Sequence, residues 1–234
     1  LILMSMFKVG EQLAERGEHG EAAAAYLRAA EEFPDDERAP EALFNAGVEH
    51  QSAGELEGAD DAYTRLIDRH PGSEIGAKGA WAGAQMYESI AQFSDAARFY
   101  EAYARQFPRE EKAADAHYNA VLLRLTAGDH DEAVEIGREF VREYPRRPET
   151  DDVYFFIGRA QEESGDLREA AETYRGYVRR SRNDDRKVEA QTRMGQVLMR
   201  AGDAEAADRA LTSAVRTASR SRRLESGRFY AAQA

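Results

Sequence analysis

The stretch 31–47, EEFPDDERAPEALFNAG, closes one apolar helical pattern on Phe33-Pro34, crosses an acidic run, and opens another on Ala42, Leu43 and Phe44. Whether that run links two domains or punctuates one repeating structure decides the fold. A step of 37 residues answers the question. Prolines stand at Pro34, Pro71, Pro108 and Pro145, three of them after an aromatic residue and the fourth after His70. The same step joins Gly17, Gly54, Gly128, Gly165 and Gly202, with Ala91 in the remaining slot. It also joins Ala22, Ala59, Ala96, Ala133, Ala170 and Ala207 without a break. The acidic run is punctuation.

Apolar residues three and four apart fill the stretches before and after each glycine, so each unit reads as a pair of helices. The glycine suits a left-handed C-terminal cap, and the Asp, Glu or Ser just beyond it predicts an N-cap for the second helix. Proline, which has no amide donor, then stops that helix. The alanine slot lets helices approach closely. Four residues further on, Tyr26, Tyr63, Tyr100, Tyr174 and Leu211 are predicted to fill the space between neighbouring hairpins. Gly137 breaks that series, and Phe140 one turn later is expected to restore the volume. One hairpin cannot bury its own apolar face, so stability must come from stacking.

Within a unit, Gly47, Ala59, Tyr63 and Pro71 stand at the spacings of the small, small, aromatic and proline positions of the tetratricopeptide repeat. The spacing recurs through Gly10, Ala22, Tyr26, Ala29 and Pro34, and through Gly158, Ala170 and Tyr174, where Arg182 replaces proline. The chain resembles that family over nearly its whole length. The resemblance implies an all-α fold, an α-solenoid of stacked antiparallel helix pairs winding as a right-handed superhelix, with first helices lining a concave groove. The period departs from the usual repeat of about 34 residues. The three extra residues fall after the proline and are predicted to lengthen the first helix or the turn before it. The phrase Phe-Pro, then Ala-x-x-Ala-x-aromatic, is similar to a branch found in bacterial cell-envelope proteins, of the Tol-Pal-associated periplasmic and outer-membrane assembly lipoprotein types. That favours a periplasmic or cell-envelope location, with the cytoplasm still open. The expected organisation is a single array over 1–234, a fragment of a longer protein, with units at 1–34, 35–71, 72–108, 109–145, 146–182 and 183–219 and a partial unit at 220–234.

Three residues before each small residue of the first helix stand Phe7, Phe44, Trp81, Tyr118 and Phe155, followed by Thr192 and Phe229. By resemblance this position faces the groove, so the row is either a partner-binding ladder or packing between first helices. Asn45 and Asn119 follow two of the aromatics, and Gln85, Arg159 and Gln196 lie one turn on. These side chains either hydrogen-bond an extended peptide backbone or form a solvated helix face. The carboxylate clamp of chaperone-binding family members is not carried over: aromatics occupy the place of a key lysine, and Glu11, Val48, Gln85 and Leu122 fill the slot one turn on. An extended or helical partner segment with apolar anchors fits better.

Composition narrows the chemistry. With 32 Lys and Arg against 44 Asp and Glu, the net charge of -12 argues against nucleic acid as a partner. The balance is uneven: residues 1–71 hold 6 basic and 16 acidic side chains, 72–145 hold 8 and 13, and 146–234 hold 18 and 15. Arg179, Arg180, Arg182, Arg186 and Lys187 crowd one junction and Arg216, Arg220, Arg222, Arg223 and Arg228 the next, either as solvated surface or to steer a partner. Cysteine is absent, so disulfides and thiolate metal sites are impossible. His19, His50, His70, His117 and His130 form no metal-binding pair, and Glu31-Glu32, Asp60-Asp61 and Asp184-Asp185 sit in helix or turn contexts that solvation or capping explains. No phosphate-binding glycine loop occurs. The opening LILMSMF is far shorter than the roughly 20 residues of a membrane span, so no direct membrane insertion is expected, and any targeting segment is expected outside this sequence. The expected function is a non-enzymatic scaffold for other proteins, with no cofactor. The alternatives are self-association through the array ends and a regulatory arm of an enzyme whose catalytic domain lies elsewhere.

Overall fold

The structure, a computed structural model, describes residues 2–220. Of the partial unit expected at 220–234, everything past Arg220 lies outside the described residues, including Phe229, Arg222, Arg223 and Arg228. Twelve helices and no strand occur among the described residues: α1 (Ile2–Glu15), α2 (His19–Glu32), α3 (Ala39–Ala53), α4 (Leu56–Arg69), α5 (Glu74–Ser89), α6 (Phe93–Gln106), α7 (Ala113–Ala127), α8 (His130–Glu143), α9 (Glu149–Ser164), α10 (Leu167–Arg180), α11 (Asp184–Arg200) and α12 (Ala204–Arg220). They form an α-solenoid of helix pairs and divide into two compact units, Leu1–Ala120 and Val121–Ala234. In the first, each helix from α1 to α6 packs on the next, and α3 also meets α5. In the second, α8 to α12 pack in the same consecutive manner.

The turn inside each hairpin is built as the glycine series predicts. After each glycine or Ala91, the next amide reaches back to the carbonyl five residues earlier: Glu18 to Leu13 (2.9 Å), Glu55 to His50 (2.8 Å), Gln92 to Tyr87 (3.0 Å), Asp129 to Arg124 (2.9 Å), Asp166 to Gln161 (2.8 Å) and Asp203 to Leu198 (2.9 Å). This is the long bond of a Schellman motif, which needs a left-handed residue just before it. Ala91 supplies that residue at φ 58°, where its Cβ crowds the following carbonyl.

The predicted N-caps are mostly absent. Of the residues that directly follow the turn glycines, Asp203 alone accepts from an amide of the second helix, that of Ala206 at 3.0 Å. At Glu18, Glu55, Asp129 and Asp166, ψ lies between 56° and 73° and no side-chain cap bond forms. A capping side chain needs extended backbone to reach under the first turn. Two of these carboxylates instead turn back to the preceding helix, Glu55 to His50 at 2.7 Å and Asp129 to Arg124 at 2.8 Å.

The three extra residues per unit go to the turn or to the helix according to local capping. After Phe33, Phe107 and Tyr144 the connection runs through two successive three-residue turns, closed by the amides of Asp36 and Ala39, Glu110 and Ala113, and Arg147 and Thr150. Where a side chain caps the first helix, that helix starts sooner. Ser73 accepts from Gly76 at 2.9 Å to open α5, and Asn183 accepts from Arg186 at 3.1 Å to open α11.

In most hairpins a large residue of the second helix lies on a glycine of its own first helix, rather than only between neighbouring hairpins. A Cβ on Gly10 would stand 2.8 Å from the ring of Tyr26, one on Gly47 2.4 Å from Tyr63, one on Gly158 2.7 Å from Tyr174, and one on Gly195 2.5 Å from Leu211. The phenol oxygens then donate to residues twelve positions earlier: Tyr63 to Gln51 (3.4 Å), Tyr100 to Glu88 (2.7 Å) and Tyr174 to Glu162 (2.9 Å). Gly137 reverses the arrangement. Its open side is met from α9 by Ile157, 2.7 Å from where a Cβ would stand, and by Val153.

Two outcomes follow from this packing. Ala91→Gly relieves a left-handed alanine in the slot that glycine holds elsewhere, and should stabilise the chain by about 0.5–1 kcal/mol, read as a higher urea midpoint. Burial pushes the Tyr63 and Tyr26 phenols up to about 12. The unfolded chain releases these protons near pH 10 while the folded chain holds them, so their contribution is complete below about pH 10 and is lost as pH rises towards 12. Urea midpoints should fall over that window, and Tyr63→Phe should remove part of the fall.

Candidate partner-binding site

The first helices carry the predicted groove residues. In the first unit these are Phe44 and Asn45 on α3, Trp81 and Gln85 on α5, and Tyr118 and Asn119 on α7; in the second, Phe155 and Arg159 lie on α9 and Gln196 on α11. Four of the ladder rings lean on a tyrosine of their own hairpin. Ring centroids are 5.4 Å apart for Phe7 and Tyr26, 6.1 Å for Phe44 and Tyr63, 5.1 Å for Trp81 and Tyr100, and 5.6 Å for Phe155 and Tyr174. One side of every such ring is therefore committed to the fold. Asn119 also has an internal role, since its amide hydrogen-bonds the Tyr100 phenol. Burial, and then the bond to Glu88, raise that phenol's pKa.

What the outer sides meet differs between positions. Arg38 lies 5.4 Å over Phe7, Lys112 lies 4.5 Å over Trp81 and Arg186 lies 5.8 Å over Phe155. These three cations stand two periods apart, each 31 residues after its ring. Ile75 holds the corresponding place for Phe44 and packs in the same apolar cluster. The sequence reading missed these cations because it counted basic residues as surface charge rather than placing them in the 37-residue register.

Phe155 is closed off. It is 3% exposed, with Tyr174 and Tyr177 both at 5.6 Å and Arg193 as well as Arg186 over the ring. Arg159 pairs with Glu163 at 3.1 Å, while Gln196 is exposed. In the nearby basic cluster, Arg180 pairs with Asp151 at 3.5 Å, Arg186 with Asp152 at 3.1 Å and Lys187 with Asp184 at 3.5 Å, so those charges are largely answered inside the unit.

Trp81 is half-buried and its surroundings open into a surface pocket of about 380 Å³. Trp81 and Tyr103, 5.5 Å apart and edge to face, supply aromatic surface; exposed Gln85 supplies an amide; Glu110, Glu111 and Lys112 line the side given by the turn before α7. Glu74 is held by Lys78 at 2.8 Å, and that bond keeps its carboxyl below the usual range. On neighbouring α3, Phe44 and Asn45 are half-buried and Val48 is 37% exposed. The arrangement offers flat apolar area beside hydrogen-bonding and charged groups, which suits a peptide segment more than a reacting small molecule. No acidic or histidine cluster with metal-binding geometry occurs among the described residues, and no helix among them is long and apolar enough to cross a membrane.

Comparison with known proteins agrees with the architecture. A tetratricopeptide repeat profile matches residues 8–74, and a tetratricopeptide repeat-like domain profile matches residues 95–233. Curated protein sequences return no match. Among solved structures, the chain resembles YrrB, described as a TPR protein with an unusual peptide-binding site, at 17% identity and a TM-score of 0.50, over 91% of this chain and 100% of that one. It also resembles a chain of the Naa15/Naa10 assembly bound to HypK-THB, at 13% identity and a TM-score of 0.59, over 100% of this chain but only 34% of the other. MamA aligns at 16% identity with a TM-score of 0.49, over 73% of this chain and 93% of its own. At such identities the likeness is one of fold. The two profiles together leave no other assignment: the chain belongs to the tetratricopeptide repeat family.

Proposed function

We propose that this protein is a non-catalytic scaffold that holds an extended or helical segment of another protein on the first helices of its first unit. The observation that carries this reading is the Trp81 pocket, where indole and phenol surface lies beside the exposed amide of Gln85. Exposed Val48 and half-buried Asn45 lie on α3, which packs against α5. An extended segment gains main-chain hydrogen bonds from such amides and specificity from side chains set into pockets. YrrB, described as a TPR protein with an unusual peptide-binding site, supports peptide binding as a use of this fold, by analogy only. The Phe-Pro phrase with its following Ala-x-x-Ala-x-aromatic pattern supports a place in a bacterial cell-envelope or surface assembly.

Crosslinking capture from source cells tests the reading, using the chain beside a Trp81→Phe, Gln85→Ala form. Phenylalanine occupies the same slot at Phe7, Phe44 and Phe155, so the packing should survive, which circular dichroism checks. A captured protein should fall about fivefold or more in the substituted form, the loss expected of a central aromatic contact. Equal capture by both forms overturns the reading. Recovery of the chain itself alone favours self-association, for which Met4 and Val9, 56% and 45% exposed on α1, are the observation.

A further inference from the structure

We infer that the segment held at the Trp81 pocket is basic, and that Lys112 occupies in the free protein the place that a partner's lysine or arginine takes in the complex. This rests on the proposed peptide-binding role of the first unit. Lys112 lies in the turn before α7, is exposed, and sets its Nζ 4.5 Å over the indole, so the site already accommodates a cation against its aromatic surface. Glu110 and Glu111 line the same pocket beside it, while Glu74 is already matched by Lys78. When Lys112 swings away, aromatic surface and two carboxylates remain for an incoming cation whose aliphatic stem can lie along Trp81 and Tyr103.

Charge across the unit points the same way. Residues 1–120 hold 23 acidic and 11 basic side chains, and residues 121–234 hold 21 of each, so the whole chain's net charge of -12 resides on the first unit. An acidic segment would gain Lys112 but would meet Glu110, Glu111 and that field. A basic segment is drawn towards the pocket and gains counter-ions there.

The test uses a displayed library of short random peptides without tryptophan, selected on the intact chain, with Trp81 as the sole tryptophan reporter. Peptides that move Trp81 emission should be rich in lysine and arginine. Lys112→Gln should tighten their binding about two- to fivefold, the worth of an exposed cation–π contact, while Lys8→Gln, the same charge change on α1, should leave it unchanged. Glu110→Gln with Glu111→Gln should weaken binding by a similar factor. Peptides that move Trp81 emission but are acidic, and weaken with Lys112→Gln, overturn the inference and leave the groove reading standing. If no selected peptide moves Trp81 emission, the groove reading falls and the inference with it.

Discussion

In five hairpins a side chain of the second helix lies where a Cβ on the first helix would be: Tyr26 on Gly10, Tyr63 on Gly47, Phe99 on Gly83, Tyr174 on Gly158 and Leu211 on Gly195. The missing side chain lets the ring sit against helix backbone, so the two helices approach to a distance that the tyrosine itself sets. That position brings the phenol oxygen within reach of the first helix at Gln51 and Glu162, and Tyr100 makes the equivalent bond to Glu88 beside Ala84. It also sets the ring against the ladder aromatic one turn earlier. The ladder is thus first a consequence of packing. Its availability to a partner depends on what remains uncovered on the other side.

That remainder is decided by the connection between hairpins. The paired three-residue turns after Phe33 and Phe107 deliver Arg38 and Lys112 over Phe7 and Trp81. After His70 the shorter, Ser73-capped connection delivers Ile75 to the apolar cluster on which Phe44 also packs. Phe155 is covered on every side, whereas the larger indole of Trp81 reaches past Tyr100 and Tyr103 into an open pocket. The same repeat position is therefore core in one hairpin and partly open surface in another.

Much of this was legible from the residue register. The 37-residue step located every hairpin turn, including the one where Ala91 replaces glycine, because helix termination depends on local backbone conformation. Contacts that depend on orientation were less legible. The carboxylates of Glu55 and Asp129 have capping chemistry, yet the backbone angle at the turn directs them to the preceding helix. The filling of Gly137 by Ile157 joins residues of two successive hairpins, and no spacing rule within one unit announces it. Asn119 stood out as a groove amide, whereas its bond to Tyr100 follows from how α7 packs. The site cations were visible at 38, 112 and 186, but their meaning required knowing which ring each one covers.

The most direct test of the packing account is urea unfolding of Gly47→Val followed by Trp81 emission, since that tryptophan reports the first unit. Valine would force side-chain atoms into the Tyr63 ring, which already lies 2.4 Å from an ideal Cβ. The account predicts a lower midpoint, equivalent to about 2–3 kcal/mol, consistent with overpacking of a close helix contact. An unchanged midpoint would mean that the tyrosine–glycine contact does not set the helix spacing, and would contradict the account.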